Sequence, residues 1–163
     1  MARWDRAFDQ WRMGAWTIVE DGSDIIDWVY FEKSRAELGP GFIRILSYFR
    51  EDGAKSVAAI EQAMHSQDTV ALVIPAHTLK GESRQFGAEP LAAVAEKIEQ
   101  VARICIETHR FPDELVPDVV ELRRLWSRTA ELFEKATNPL LTRAAPVTGG
   151  FGKKAANQGF GRI

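Results

Sequence analysis

The sequence predicts an all-α protein: an antiparallel four-helix bundle over about residues 40–136, with one or two additional helices before it. Three observations predict this. Four consecutive stretches carry apolar residues at a 3.6-residue period. Short breaks rich in Pro, Gly and Asp separate them. No stretch of useful length alternates apolar and polar residues as a half-buried strand would.

The first bundle helix is expected over about 40–66, with Phe42, Ile45, Leu46, Phe49, Val57, Ile60 and Met64 on one stripe and Pro40 in its first turn. Asp68 suits the N-cap of a second helix, 69–86, whose stripe is Leu72, Ala76, Leu79, Ser83 and Phe86; Gly87 stops it. Pro75 lacks an N–H and crowds the carbonyl of Ala71, so this helix should bend or begin afresh between about 71 and 75. The third helix, about 89–109, turns Leu91, Val94, Ile98, Val101 and Cys105 inward. Phe111, Pro112 and Asp113 break the chain. The fourth, about 114–136, turns Leu115, Val119, Leu122, Trp126 and Phe133 inward.

Before the bundle, Asp24 could cap a helix over 25–37 with Trp28 and Val29 inward. Trp4, Phe8 and Trp11 form a helical triplet over 3–13. Both segments are expected to cover an end or flank of the bundle, giving a domain over 1–137. Residues 138–163 hold Pro139, Pro146 and five glycines, and are expected to be flexible or extended. Their G-G-F-G-K-K is not a nucleotide loop. Val147 stands at the first glycine position, Lys154 follows the lysine, and no strand precedes the run.

Composition narrows the function. A chain of 163 residues is one domain's worth. A net charge of −2 argues against nucleic acid as the main partner. No apolar run reaches membrane-span length and no signal-peptide core opens the chain, so a cytoplasmic protein is expected. The single Cys105 permits neither an internal disulfide nor a cysteine metal cluster, and reads as a small core residue.

The chemistry concentrates in A-H-T-L-K-G-E-S-R-Q-F-G-A, residues 76–88. On a helix Lys80 and Gly81 lie three and four residues beyond His77 and share its face. With Leu72, Ala76 and Leu79 toward the core, His77, Lys80, Gly81 and Arg84 cluster outward. Gly81 costs about 1 kcal/mol of helix stability against Ala. A glycine there, beside an exposed histidine, is accounted for by close approach of another protein to the imidazole. A neutral imidazole is nucleophilic near pH 7. A cation beside it can offset charge on transferred phosphoryl oxygens. Val70, Val73 and Ile74 fall near the same sector. They make either an apolar docking patch or, if an N-terminal helix covers Val73 or Ile74, ordinary core. His65 and His109 lie at helix ends without such neighbours.

The 76–88 run resembles the signature of histidine-containing phosphotransfer (HPt) domains, and the resemblance extends over about residues 24–136. It implies that His77 carries a phosphoryl group received from a receiver-domain aspartyl phosphate and passed to another receiver. It implies that Lys80 assists and Gly81 keeps the surface open. Val70, Val73, Ile74, Arg84 and Gln85 are then the partner-binding residues. Many relatives have a small residue at Glu82, which lies to the side of the histidine sector and would tune partner choice. The implied protein is a stoichiometric carrier rather than a turnover enzyme. Its partners are response regulator receiver domains and a hybrid histidine kinase. It has no cofactor or metal of its own, the divalent metal sitting in the receiver. A monomer is expected, since four helices in one chain complete a bundle. The alternative is a non-enzymatic helical adaptor that binds a kinase or response regulator without relaying phosphate. A histidine kinase dimerisation domain, which also presents a histidine on a bundle helix, is not expected, since that reading needs acidic and glycine-rich ATP-binding boxes and these 163 residues hold no such stretch.

Overall fold

The computed structural model describes residues 22–142. Helix α1 (Trp28–Leu38) leads through a 3-10 turn (Gly39–Gly41) into α2 (Phe42–His65). A second 3-10 turn (Val70–Leu72) runs into α3 (Val73–Gln85), followed by α4 (Glu89–Glu107). A third (Asp113–Leu115) opens α5 (Val116–Thr137), and a single turn, α6 (Pro139–Thr142), follows. No strand occurs among the described residues. The expected helix over 3–13 and the tail from 143 lie outside them. Residues 139–142 correct the expected tail, because they continue past α5 as a helical turn.

Helices α2 to α5 form a ring in which α2 and α4 each pack against α3 and α5. Cross-helix ion pairs fix the direction. Glu61 near the end of α2 meets Arg123 near the start of α5, at 2.7 Å, while Arg50 near the start of α2 meets Glu134 near the end of α5. The two helices are therefore antiparallel, and an ion pair from Lys97 to Asp118 at 2.7 Å joins α4 to α5.

The ends of these helices follow from local chemistry. Asp27, not Asp24, caps α1, its carboxylate accepting from Tyr30 N at 2.9 Å. The helix starts three residues later than expected, and, against the expectation that Val29 faces inward, Val29 is 84% exposed while Phe31 takes the core position. Asp68 accepts from Ala71 N at 3.1 Å, capping the 3-10 turn. Regular α-helix then begins at Val73, with Pro75 in its first turn, where a missing N–H leaves no helical bond unmade. This is the fresh start that Pro75 predicts.

Helices α2, α3 and α4 each end in a left-handed residue, respectively Gln67, Gly87 and His109. In each case the following N–H reaches back to the last turn: Asp68 to Ala63, Ala88 to Ser83 and Arg110 to Cys105. At Gly87 no side chain is tolerated, because a Cβ would sit 2.7 Å from the Asp27 carbonyl. That close approach lets Asp27 N donate to Gly87 O at 2.9 Å. Ser34 Oγ donates to Gln85 O at 2.8 Å. Together these bonds pin α1 across the end of α3.

The core follows the expected stripes, with Phe42, Leu46, Phe49, Val57, Ile60, Leu72, Ala76, Leu79, Leu91, Ile98, Leu122 and Phe133 all buried. Where α1 crosses the bundle end the core is aromatic. Phe31 stacks on Phe133 at 5.0 Å and meets Phe42 edge-on at 5.2 Å, and Phe49 contacts Phe86, Trp126 and Phe133. The rigid layer beneath α3 fixes which of its sides faces out.

Candidate phosphotransfer site

Ala76, Leu79 and Ser83 bury the inner side of α3. The outer side therefore carries His77, Lys80, Gly81 and Arg84, one to two turns apart. His77 is 62% exposed at its side chain. A Cβ at Gly81 would meet nothing within 4 Å, so the space beside the imidazole is open.

The structure adds a group that the sequence reading did not single out. Glu99 on α4 is buried, yet its carboxylate faces the His77 side of α3. One oxygen meets His77 Nδ1 at 3.0 Å and also accepts from Arg103 Nη2 at 2.9 Å and Nε at 3.2 Å. The other accepts from Lys80 Nζ at 2.8 Å. Burial pushes this carboxyl upward and is the largest single influence, but the bonds from Lys80, Arg103 and His77 outweigh it and hold the group at about 2. Glu99 is therefore ionised near neutral pH.

That charge state sets the chemistry of the ring. An ionised carboxylate only accepts hydrogen bonds, so His77 Nδ1 must be the donor. In the neutral imidazole the lone pair then lies on Nε2. Nε2 has no hydrogen-bond partner among the described residues. The arrangement presents one oriented nucleophilic nitrogen, with Glu99 placed to offset positive charge that develops on the ring.

Lys80 is only 19% exposed, with Glu96 at 3.9 Å in addition to Glu99. Arg84 pairs with Glu96 at 2.8 Å and with Glu89 at 3.3 Å. Gln85 is exposed but lies eight residues beyond His77, about 12 Å along the helix. The structure does not bring it to the imidazole.

Of the apolar residues, Val70 and Ile74 are exposed, Ile74 by 76%. Val73 is half-buried and packs on the core. The three share a cleft of about 350 Å³ between α3 and α4 with Arg103, Ile106 and Glu107. A cover from an N-terminal helix would come from outside the described residues. Glu82 turns away from this face. One of its carboxylate oxygens is buried without a partner, and burial, then the nearby Asp52 of α2, pushes its carboxyl upward.

Glu99 had a readable signal. Ala95, Ile98 and Ala102 are all buried, and Glu99 belongs to the same stripe, a charged residue at a core-facing position.

Residues 44–134 match the family model described as the Hpt domain. The chain belongs to the Hpt domain family. Its fold matches the crystal structure of histidine-containing phosphotransfer protein B (HptB) from Pseudomonas aeruginosa PAO1. The TM-score is 0.60 at 22% identity, covering 69% of this chain and 93% of that one. No curated protein matches the sequence. Membership of the Hpt domain family assigns the chain to histidine phosphotransfer in two-component signalling, where such domains interact with receiver domains and kinases. No helix among the described residues is long and apolar enough to cross a membrane.

Proposed function

We propose that this Hpt domain is a phosphorelay intermediate with His77 as its acceptor. The Nε2 lone pair attacks the phosphorus of an aspartyl phosphate on a receiver domain. A P–N bond forms, the P–O bond to the aspartate breaks, and its electron pair stays on the departing carboxylate. The ring keeps its Nδ1 proton and becomes cationic, with that N–H still held by Glu99. Transfer to a second receiver runs the same steps in reverse. The protein is a stoichiometric carrier, and the divalent metal that assists the aspartyl phosphate belongs to the receiver's own acidic pocket. Phosphoryl transfer depends on positioning and charge placement more than on covalent help, and a fixed tautomer supplies the first of these.

The observation that carries this reading is the bond from His77 Nδ1 to the buried Glu99 carboxylate at 3.0 Å, which leaves Nε2 available on an exposed ring. Open space at Gly81 and the apolar cleft at Val70, Val73 and Ile74 support docking of a receiver on the same side. Incubation with a phosphorylated receiver tests it. Acid-labile label should appear on His77 and be absent from the His77→Gln protein. Label retained in that variant, at His65 or His109, would reassign the acceptor.

A further inference from the structure

Two cations meet Glu99, and they differ in what else they can reach. Lys80 is four-fifths covered, and its ammonium lies between two carboxylates, Glu99 at 2.8 Å and Glu96 at 3.9 Å. Moving it outward would strand the buried Glu99 oxygen that it satisfies. Arg103 is 56% exposed and reaches Glu99 from the same helix, one turn on. It uses Nε and Nη2 on one oxygen, while Nη1 has no partner among the described residues. His77 Nδ1 sits on that same oxygen, which places guanidinium and imidazole within about 6 Å of each other. Arg103 also lines the apolar cleft, so it stands between the histidine and the expected docking surface.

We infer that Arg103 is the phosphoryl-binding residue of the phosphorylated state. When His77 Nε2 carries the group, the guanidinium turns from Glu99 to the phosphoryl oxygens, and Lys80 stays behind as the fixed counter-charge of Glu99. The inference rests on His77 being the acceptor.

Charge balance favours the exchange. Phosphorylation makes the ring cationic, which strengthens the Nδ1–H bond to the shared Glu99 oxygen and lessens that oxygen's need for Arg103. It also creates a dianionic group beside a cation whose planar fork matches phosphate geometry. Lys80, a point charge already held by two carboxylates, gains less by moving. The outward part of the site then has a switch. Arg103 faces Glu99 before transfer and the phosphoryl group after it, and a docked partner meets a different charge layout at the cleft edge in each state.

The test uses the full chain and its Arg103→Gln, Arg103→Lys and Lys80→Gln variants, each phosphorylated with phosphoramidate, a small donor that needs no receiver. The phosphoryl resonance is followed by 31P NMR from pH 6 to 9, and the transfer equilibrium with a receiver is measured separately. Arg103→Gln should raise the phosphoryl titration midpoint and shift the equilibrium about tenfold away from the phosphohistidine, the equivalent of one charge-assisted hydrogen bond. Arg103→Lys should restore part of both. A loss of helix packing alone would not move the titration midpoint. If Lys80→Gln produces the shift and Arg103→Gln does not, Lys80 is the binding group and the inference falls. It falls equally if neither variant moves the midpoint. Wild-type protein labelled on His77 by phosphoramidate but not by a receiver would refute the relay function while leaving the NMR comparison decisive for Arg103. Absence of label on His77 from either donor would overturn both.

Discussion

Replacing Glu99 by Gln keeps the shape of the side chain and removes its charge. The structure sets the expected cost. The carboxyl is lowered from 4.5 to about 2 in the fold. Carried through linkage, this depression amounts to roughly 3 kcal/mol of stability at neutral pH. The sign follows from the direction. Because the folded value is depressed, the contribution is fully present above about 4.5 and drains away as pH falls through about 2. At pH 3 between one and two kcal/mol should remain. The variant should lose somewhat less than the full amount at pH 7. Arg103 and His77 are more than half exposed, so water takes up part of what they lose. Lys80 is not so placed, and with Glu99 neutral it keeps only Glu96 at 3.9 Å. A loss of about 2–3 kcal/mol is expected.

Urea unfolding at pH 7 and pH 3 measures this directly. Wild type and Glu99→Gln should differ by about 2–3 kcal/mol at pH 7, and the gap should at least halve at pH 3. An equal gap at both values would mean that the side chain matters for packing and not for its charge. A second readout tests the ring. With Gln at position 99, the amide group offers an oxygen and an NH2, so it can hold either nitrogen of His77. The ring loses its fixed tautomer, and single-turnover transfer should slow by tenfold or more even where the protein is folded. Unchanged transfer in a folded Glu99→Gln protein would remove Glu99 from the chemistry.

Gly81→Gln should leave the thermal melt unchanged or raise it by up to about 1 kcal/mol in stability, because nothing lies within 4 Å of the new Cβ, and should still slow transfer sharply. A wild-type transfer rate would end its access role. Gly87→Ala should destabilise by about 2 kcal/mol or more, since φ is +77° and the Cβ would press on the Asp27 carbonyl at 2.7 Å; a chemical melt decides it. Ile74→Asp should weaken receiver binding by about tenfold or more with little change in folding, Ile74 being 76% exposed. If it unfolds the protein, a segment outside the described residues covers that flank.

What could be read from the sequence was what a single helix contains. His77, Lys80 and Gly81 are three and four residues apart, so one helical period places them together without knowledge of any other element. The same holds for the buried stripes of the bundle and for the fresh helix start at Pro75, which is a property of one residue's missing N–H. The first helix was less legible, because its cap is fixed by tertiary structure: the bond from Asp27 N to Gly87 O holds Asp27, not Asp24, at the helix start, and Val29 faces solvent. Glu99 lies 22 residues from His77, and their meeting depends on how α3 and α4 pack. Even so, an acidic residue on the stripe of Ala95, Ile98 and Ala102 could not be left unpaired when buried. Its own helix supplies Arg103 at one turn, which satisfies a single oxygen. The second oxygen needs a donor from a neighbouring helix. Helices joined by a short turn are antiparallel neighbours, and α3 carries its outward donors, His77 and Lys80, on one side. A buried acid in one helix and paired donors on the preceding one therefore predict each other, and the histidine proposed as acceptor acquires its orienting partner as a requirement of burial.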